Sequence, residues 1–110
     1  MNKLYFAAEA RADLLEIKAC ITEELDNPTA ARSVVGKIFN SIRILESHAY
    51  AGPSLASITG LETEYRFLSS GNYLIFYRVV AQNVYIDRVL YKRRDCLRVL
   101  LGVVSTDDIN

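Results

Sequence analysis

Two adjacent stretches of helical periodicity restrict the folds open to this chain more than any other feature. Between Glu9 and Leu25, apolar residues recur at steps of three and four, the spacing of one face of a helix. Asp26-Asn27-Pro28 then ends that helix and begins another, because proline cannot continue a helix, whereas asparagine caps one and proline suits its first turn. Because the connection is so short, the two helices are predicted to pack antiparallel as a hairpin.

The apolar stripes of the two helices predict which of their faces are buried. The stripe of the second helix is the wider of the two, and both end before the loop-like residues at 48–53 and 57–60. The predicted stripes consist of Ala10, Leu14, Ile17, Ile21 and Leu25 in the first helix, and Ala31, Val34, Val35, Ile38, Ile42 and Leu45 in the second.

The second half of the chain has the pattern of β-strands. Tyr65–Leu68, Tyr73–Val80 and Val84–Tyr91 are runs of aromatic and β-branched residues separated by short turns. Strands joined so closely are antiparallel, and Tyr73–Val80, apolar on both faces, is predicted to be central. Leu4–Phe6 predicts a further short strand, at an edge or paired.

The C-terminal part completes the predicted fold class. Leu97, Leu100 and Leu101 stand at helical spacing, so Arg93 to Leu101 is predicted to form a short last helix. A chain of 110 residues, 51% of them hydrophobic, suits one domain with a sizeable core. We therefore predict a single α+β domain over residues 1–110, with an N-terminal helical hairpin packed on a small antiparallel sheet.

Charge is balanced over the chain but unevenly placed along it. Thirteen basic and thirteen acidic groups give a formal net charge of zero, which argues against gripping nucleic acid by bulk charge. Residues 62–98 nevertheless carry seven basic and four acidic groups, and Lys92, Arg93 and Arg94 are consecutive.

The cysteines and the N-terminus indicate a cytoplasmic protein. Cys20 and Cys96 have no metal-ligand spacing and make a poor disulfide framework, so we expect reduced, packed thiols. The N-terminus lacks the long apolar region of a signal peptide, and no apolar run approaches the roughly 18 residues of a membrane span.

Most familiar catalytic and cofactor sites are absent from the sequence. His48 is the only histidine, and neither a Gly-x-Ser-x-Gly motif nor a phosphate-binding glycine loop is present, so no cofactor or metal is expected. Catalysis would have to use arginine, lysine, tyrosine and carboxylates. Such groups suffice to cut RNA, whose own 2′-OH serves as the nucleophile while arginine stabilises phosphate charge.

Three stretches taken in order resemble the RelE/ParE toxin superfamily. Ala8–Ile21 is similar to its opening helix, and Ser70–Val79 to its central strand, which commonly runs Gly-x-Tyr-Arg-x-x-Tyr. Arg88–Leu101 resembles its last strand and final helix, often written around His-x-Arg-Arg-Asp. The resemblance spans essentially the whole chain. It implies the growth-inhibiting toxin of a type II toxin–antitoxin pair, a plasmid stabilisation protein that a small antitoxin wraps and blocks in a hetero-oligomer.

The resemblance implies candidate catalytic residues if the chain is a nuclease. Arg66 and Arg93 match basic positions of the family, and Tyr91 stands where many relatives have histidine. Leu74 replaces the arginine of the central strand, while Arg78, four residues later, could partly compensate. The candidates are therefore Arg66, Arg78, Tyr91 and Arg93.

Three functions follow from the resemblance and remain open at this point. The favoured one is a ParE-like toxin that is not an enzyme and binds a cellular target, DNA gyrase. The missing arginine and the neutral charge favour it. The second is a RelE-like, metal-independent mRNA endonuclease acting on the ribosome. The third is an inactive toxin that has kept only antitoxin binding.

The basic cluster near the C-terminus is the predicted contact with the antitoxin or target. It consists of Lys92, Arg93, Arg94 and Arg98, and an acidic partner segment would match its charge. Charge reversal at Arg93 and Arg94 is therefore expected to weaken antitoxin binding. A titration of the purified pair measures this, and an unchanged affinity would contradict it.

Overall fold

The computed structural model describes residues 1–60 and 62–92. The elements follow one another as β1 (Lys3–Phe6), α1 (Ala8–Leu25), α2 (Pro28–Ser47), α3 (Leu55–Thr59), β2 (Arg66–Ser70), β3 (Tyr73–Val80) and β4 (Asn83–Tyr91). The predicted C-terminal helix, residues 93–101, lies outside the described residues. None of the helices in the described ranges has the length and apolar character that crossing a bilayer demands.

The predicted helical hairpin is confirmed, with its turn where the sequence indicated. Asp26 adopts a left-handed conformation (φ 47°) that ends α1. The side chain of Asn27 then caps α2, because its Oδ1 accepts a hydrogen bond of 3.1 Å from the Ala30 N–H, and Pro28 takes the first helical position.

The sheet has the order β1-β4-β3-β2, so β3 is central as predicted. β2, β3 and β4 are antiparallel neighbours, whereas β1 pairs parallel with β4 and makes the sheet mixed. The direction of β1 was not readable from turn lengths, because three helices and two strands separate β1 from β4 and no hairpin joins the two strands.

The hairpin covers one face of the sheet and forms the main core with it. We call this the helix face; it carries Ile75 and Tyr77 of β3 and Val84 and Ile86 of β4, all fully buried. The opposite face, here the outer face, carries a smaller cluster in which α3 places Leu55 over Phe76. Most residues of the two predicted stripes are buried, and all but Ala31 of the buried ones belong to the main core: Ala10, Leu14, Ile17, Ala31, Ile38, Ile42 and Leu45.

Two local expectations were wrong. The connector after α2 is not wholly loop, because Leu55–Thr59 forms a short helix between Ser54 and a left-handed Gly60. Cys20 is exposed rather than packed. The inward positions of α1 are taken by Ile17 and Ile21, and Cys20 lies at the margin of that stripe.

The turn between β3 and β4 gives a simple stability prediction. Ala81 adopts φ 55°, a left-handed conformation in which its Cβ crowds the backbone. Replacement of Ala81 by glycine is expected to stabilise the fold by roughly 0.5–1 kcal/mol, because relief of this strain outweighs the added freedom of the unfolded chain. Urea denaturation measures the change, and a destabilised Ala81→Gly variant would contradict the strain.

Candidate functional site

Arg66, at the start of β2, holds the loop that follows α2. Its Nε donates a hydrogen bond of 2.9 Å to the Gly52 carbonyl, and its guanidinium carbon lies 4.9 Å from the centre of the Tyr50 ring. This stacking is a cation–π contact. Within residues 1–60 and 62–92, no carboxylate forms an ion pair with Arg66.

The same loop, residues 48–53, is also held by buried groups of the sheet; we call it the connector loop. The Gly52 N–H donates a hydrogen bond of 2.9 Å to the hydroxyl of Tyr77, a fully buried residue. Gly52 also lies so close to the Phe67 carbonyl that a Cβ would collide with it. Glycine is therefore required here for close approach of two backbones.

Arg78 lies on the outer face and forms an ion pair with a carboxylate. Its Nε lies 2.6 Å from Asp87 Oδ2, and its guanidinium stacks over Tyr85 at 5.4 Å. Tyr85 in turn stacks on Tyr5, with ring centroids 5.2 Å apart. The charge of Arg78 is thus neutralised within the protein.

Tyr65 completes this outer-face group. Burial, followed by the Asp87 carboxylate with which it hydrogen-bonds, raises the pKa of the Tyr65 phenol above its ordinary value. The hydrogen bond to Asp87 likewise raises the pKa of Arg78. A phenol held protonated is a poor general base near neutral pH.

Sequence reasoning missed the ion pair between Asp13 of α1 and Arg88 of β4. Asp13 is the single buried charged residue of the described chain. Its Oδ2 lies 2.8 Å from Arg88 Nε and its Oδ1 2.9 Å from Arg88 Nη2. The hydrogen bond to Asp13 raises the pKa of Arg88. The only hint in the sequence was that Asp13 stands beside the apolar stripe of α1. That position has another explanation, because the helix macrodipole favours acidic residues near the N-terminus of a helix.

A β-bulge in β4 and the end of β1 both lie next to the contact between Asp13 and β4. Phe76 pairs with Arg88 and Tyr77 with Ile86, so Asp87 is the extra residue of β4. β1 ends opposite Ile86, and beyond that point no strand of the described residues pairs with β4 on that side. The Val89 N–H instead donates a hydrogen bond of 3.0 Å to Asp13.

Tyr91 stands at the end of β4, beside a cavity between α1 and the sheet. Its ring packs edge-on against Tyr73 at 5.5 Å, and the side chain is 52% exposed. The cavity measures about 510 Å³ and is also lined by Asp13 and Arg88, which bond to each other. Lys92 is exposed next to it, whereas Arg93, Arg94 and Arg98 lie outside the described residues.

The described candidates for catalysis do not converge on one point. Arg66 pairs in register with Tyr77 and so shares the helix face, whereas Arg78, the next residue after Tyr77, points to the outer face. Tyr91 pairs with Tyr73, four residues before Tyr77, which separates Tyr91 from Arg66 by about 13 Å along the strands. One phosphate could not contact all three side chains.

The outer edge of β1 is the part of the sheet best suited to a partner strand. Lys3 and Ala7 donate their N–H groups to the Gln82 and Ile86 carbonyls, so the intervening Leu4 and Phe6 direct their N–H and carbonyl groups away from β4. No backbone hydrogen bond from the described chain takes up these groups. Beside them, Phe39 packs against Phe6 at 5.8 Å and is 38% exposed.

No group of three or more histidine, cysteine or acidic side chains is arranged to hold an ion in residues 1–60 and 62–92. His48, at the end of α2, is exposed.

Comparisons with known proteins agree with this fold. Residues 4–96 match the family described as the ParE toxin of the type II toxin–antitoxin system parDE. The structure is similar to one titled "Chromosomal ParDE TA system from P. aeruginosa", with a TM-score of 0.71 and 22% identity over 84% of this chain and 98% of that one. A comparison with curated protein sequences gave no match. Because the family match covers most of the chain, this protein belongs to the ParE toxin family of type II toxin–antitoxin systems.

Proposed function

We propose that this protein inhibits growth by binding a cellular protein, DNA gyrase, in the cytoplasm, and that a cognate antitoxin neutralises it. Membership of the ParE family supports a toxin. The gyrase target comes from the ParE-like resemblance. No catalysis, cofactor or metal enters this account.

The observation that carries the proposal is the separation of the candidate catalytic residues. Cleavage of RNA without a metal requires several side chains within hydrogen-bond reach of one phosphate. Arg66 and Arg78 lie on opposite faces of the sheet, and Arg78 is paired with Asp87. These aromatic and arginine side chains are better suited to binding another protein, because tyrosine and arginine are enriched in protein–protein interfaces.

The antitoxin contact is proposed at the outer edge of β1. An extended antitoxin segment could pair with the free backbone groups of Leu4 and Phe6 and lay apolar side chains beside Phe39. Acidic residues of the same antitoxin would match the exposed charge of Lys92 and the predicted charges of Arg93, Arg94 and Arg98.

Induction of the chain from a tightly controlled promoter distinguishes the possible functions. Two early readouts are taken from one culture: the rate of translation, and DNA supercoiling together with the SOS response. We expect an SOS response and altered supercoiling while translation is still normal. Co-expression of the cognate antitoxin should restore growth.

The other outcomes contradict the proposal in different ways. An early fall in translation, with cuts inside translated mRNA, would indicate a ribosome-dependent nuclease. Normal growth, with the protein present at the expected level and bound by its antitoxin, would indicate an inactive toxin.

A further inference from the structure

We propose that Tyr50 is a contact residue for the target protein and that Arg66 positions it. This inference rests on the proposed function and names the surface that carries it. The partner surface it fits is a protein patch presenting a carboxylate beside apolar groups.

Tyr50 is exposed on a loop that is otherwise held firmly. The side chain of Tyr50 is 67% exposed, whereas its neighbour Ala49 is buried. Gly52 is hydrogen-bonded through both its N–H, to the Tyr77 hydroxyl, and its carbonyl, to Arg66 Nε. Beyond it, the Pro53 carbonyl accepts a bond of 3.2 Å from the Phe67 N–H. A large aromatic side chain on a fixed backbone loses little conformational freedom on binding.

Arg66 gives the site its polar character. Its Nε donates a hydrogen bond to the Gly52 carbonyl. Within the described residues, neither terminal nitrogen of the guanidinium has a hydrogen-bond or ion-pair partner. A guanidinium with two parallel donors is suited to a carboxylate. In this respect Arg66 differs from Arg78 and Arg88, each of which is paired with an aspartate.

Acidic residues close to Arg66 and to the connector loop in the sequence favour a protein over RNA as the occupant. Glu46, Glu62 and Glu64 flank Arg66 and the connector loop in the sequence, and all three are at least partly exposed. A polyanion would be repelled by these groups, whereas a protein surface of mixed charge can meet both signs.

The position of the site separates it from the proposed antitoxin edge. β2, which carries Arg66, and β1 are the two outermost strands of the sheet, about 14 Å apart. Substitutions at Tyr50 should therefore weaken binding of the target more than binding of an antitoxin strand at β1.

The test compares Tyr50→Ala, Arg66→Ala and the double variant with the wild-type chain. Binding to purified gyrase, binding to the purified antitoxin and thermal unfolding are measured for each. Leu15→Ala is the matched control, because Leu15 is 69% exposed on α1, away from this loop. We expect Tyr50→Ala to weaken gyrase binding at least about tenfold, with the melting temperature and antitoxin affinity unchanged.

The role of Arg66 is separated from a merely structural one by the double variant. Because Arg66 both positions the Tyr50 ring and offers donors to the partner's carboxylate, removing both side chains should cost clearly less in gyrase affinity than the sum of the two single losses. Independent, additive losses would overturn the positioning role. Tyr50→Phe should retain most of the binding, because it keeps the stacked ring.

The remaining outcomes separate failure of this inference from failure of the proposed function. A wild-type chain that binds gyrase while Tyr50→Ala binds it equally well would overturn the inference alone. Absence of gyrase binding by the wild-type chain would overturn both. A Tyr50→Ala variant that loses affinity for a single-stranded RNA oligonucleotide, but not for gyrase, would assign the site to RNA.

Discussion

Replacement of Gly52 by alanine is expected to destabilise the fold by roughly 3 kcal/mol. The added Cβ would collide with the Phe67 carbonyl oxygen and lie 2.8 Å from the Tyr77 hydroxyl. The loop could relieve the collision only by moving away from β2. That movement breaks the bond between the Gly52 N–H and Tyr77 and leaves a buried hydroxyl without its partner.

Urea denaturation of Gly52→Ala measures this effect, and Gly36→Ala is the matched control. Gly36 lies within α2, and a Cβ added there meets no atom within 4 Å. Gly36→Ala is therefore expected to stabilise the chain by about 0.5–1 kcal/mol, because alanine favours a helix more than glycine does. If Gly52→Ala were as stable as the wild-type chain, the close approach of the connector loop to β2 would be wrong.

Replacement of Asp13 by alanine is expected to destabilise the fold by about 3 kcal/mol. Three hydrogen bonds would be lost together, two to the Arg88 guanidinium and one to the Val89 N–H. Arg88 would then be left three-quarters buried and without its counter-charge, and an unpaired buried charge is costly.

Asp87→Ala is the matched control for this second prediction. Asp87 also pairs with an arginine, but Arg78 is 36% exposed and solvent can replace part of the lost interaction. We expect a smaller loss for Asp87→Ala, on the order of 1 kcal/mol. Equal losses at the two sites, measured by urea denaturation, would contradict a special role for Asp13.

The sequence was sufficient for those parts of the fold that depend on local patterns. The period of the apolar residues placed both helices, and Asn27-Pro28 marked the start of α2 within the turn. The double-sided apolar pattern of Tyr73–Val80 identified the central strand. These features depend on neighbouring residues along the chain, and tertiary structure did not override them.

Features that depend on distant residues were not predictable in the same way. Asp13 and Arg88 are 75 residues apart, and only the bulge at Asp87 and the early end of β1 bring them together. Likewise, Arg66 and Arg78 were both candidates for one catalytic site. The register of β2 with β3 places them on opposite faces, and a register is fixed by pairing that local sequence patterns do not reveal.

The family resemblance identified candidate residues but could not supply their partners. Arg66 bonds to Gly52 and stacks on Tyr50, and Arg78 bonds to Asp87. None of these contacts follows from a motif, because each partner comes from a different segment. These contacts are the reason for proposing that the two arginines organise a protein surface rather than bind phosphate.

Inhibition of purified gyrase is the decisive measurement of whether this toxin acts through a protein target. The chain, separated from its antitoxin, is titrated into a DNA supercoiling reaction. We expect dose-dependent loss of supercoiling, reversed by added antitoxin. Full gyrase activity at saturating toxin, together with cleavage of mRNA on translating ribosomes by the same preparation, would contradict it.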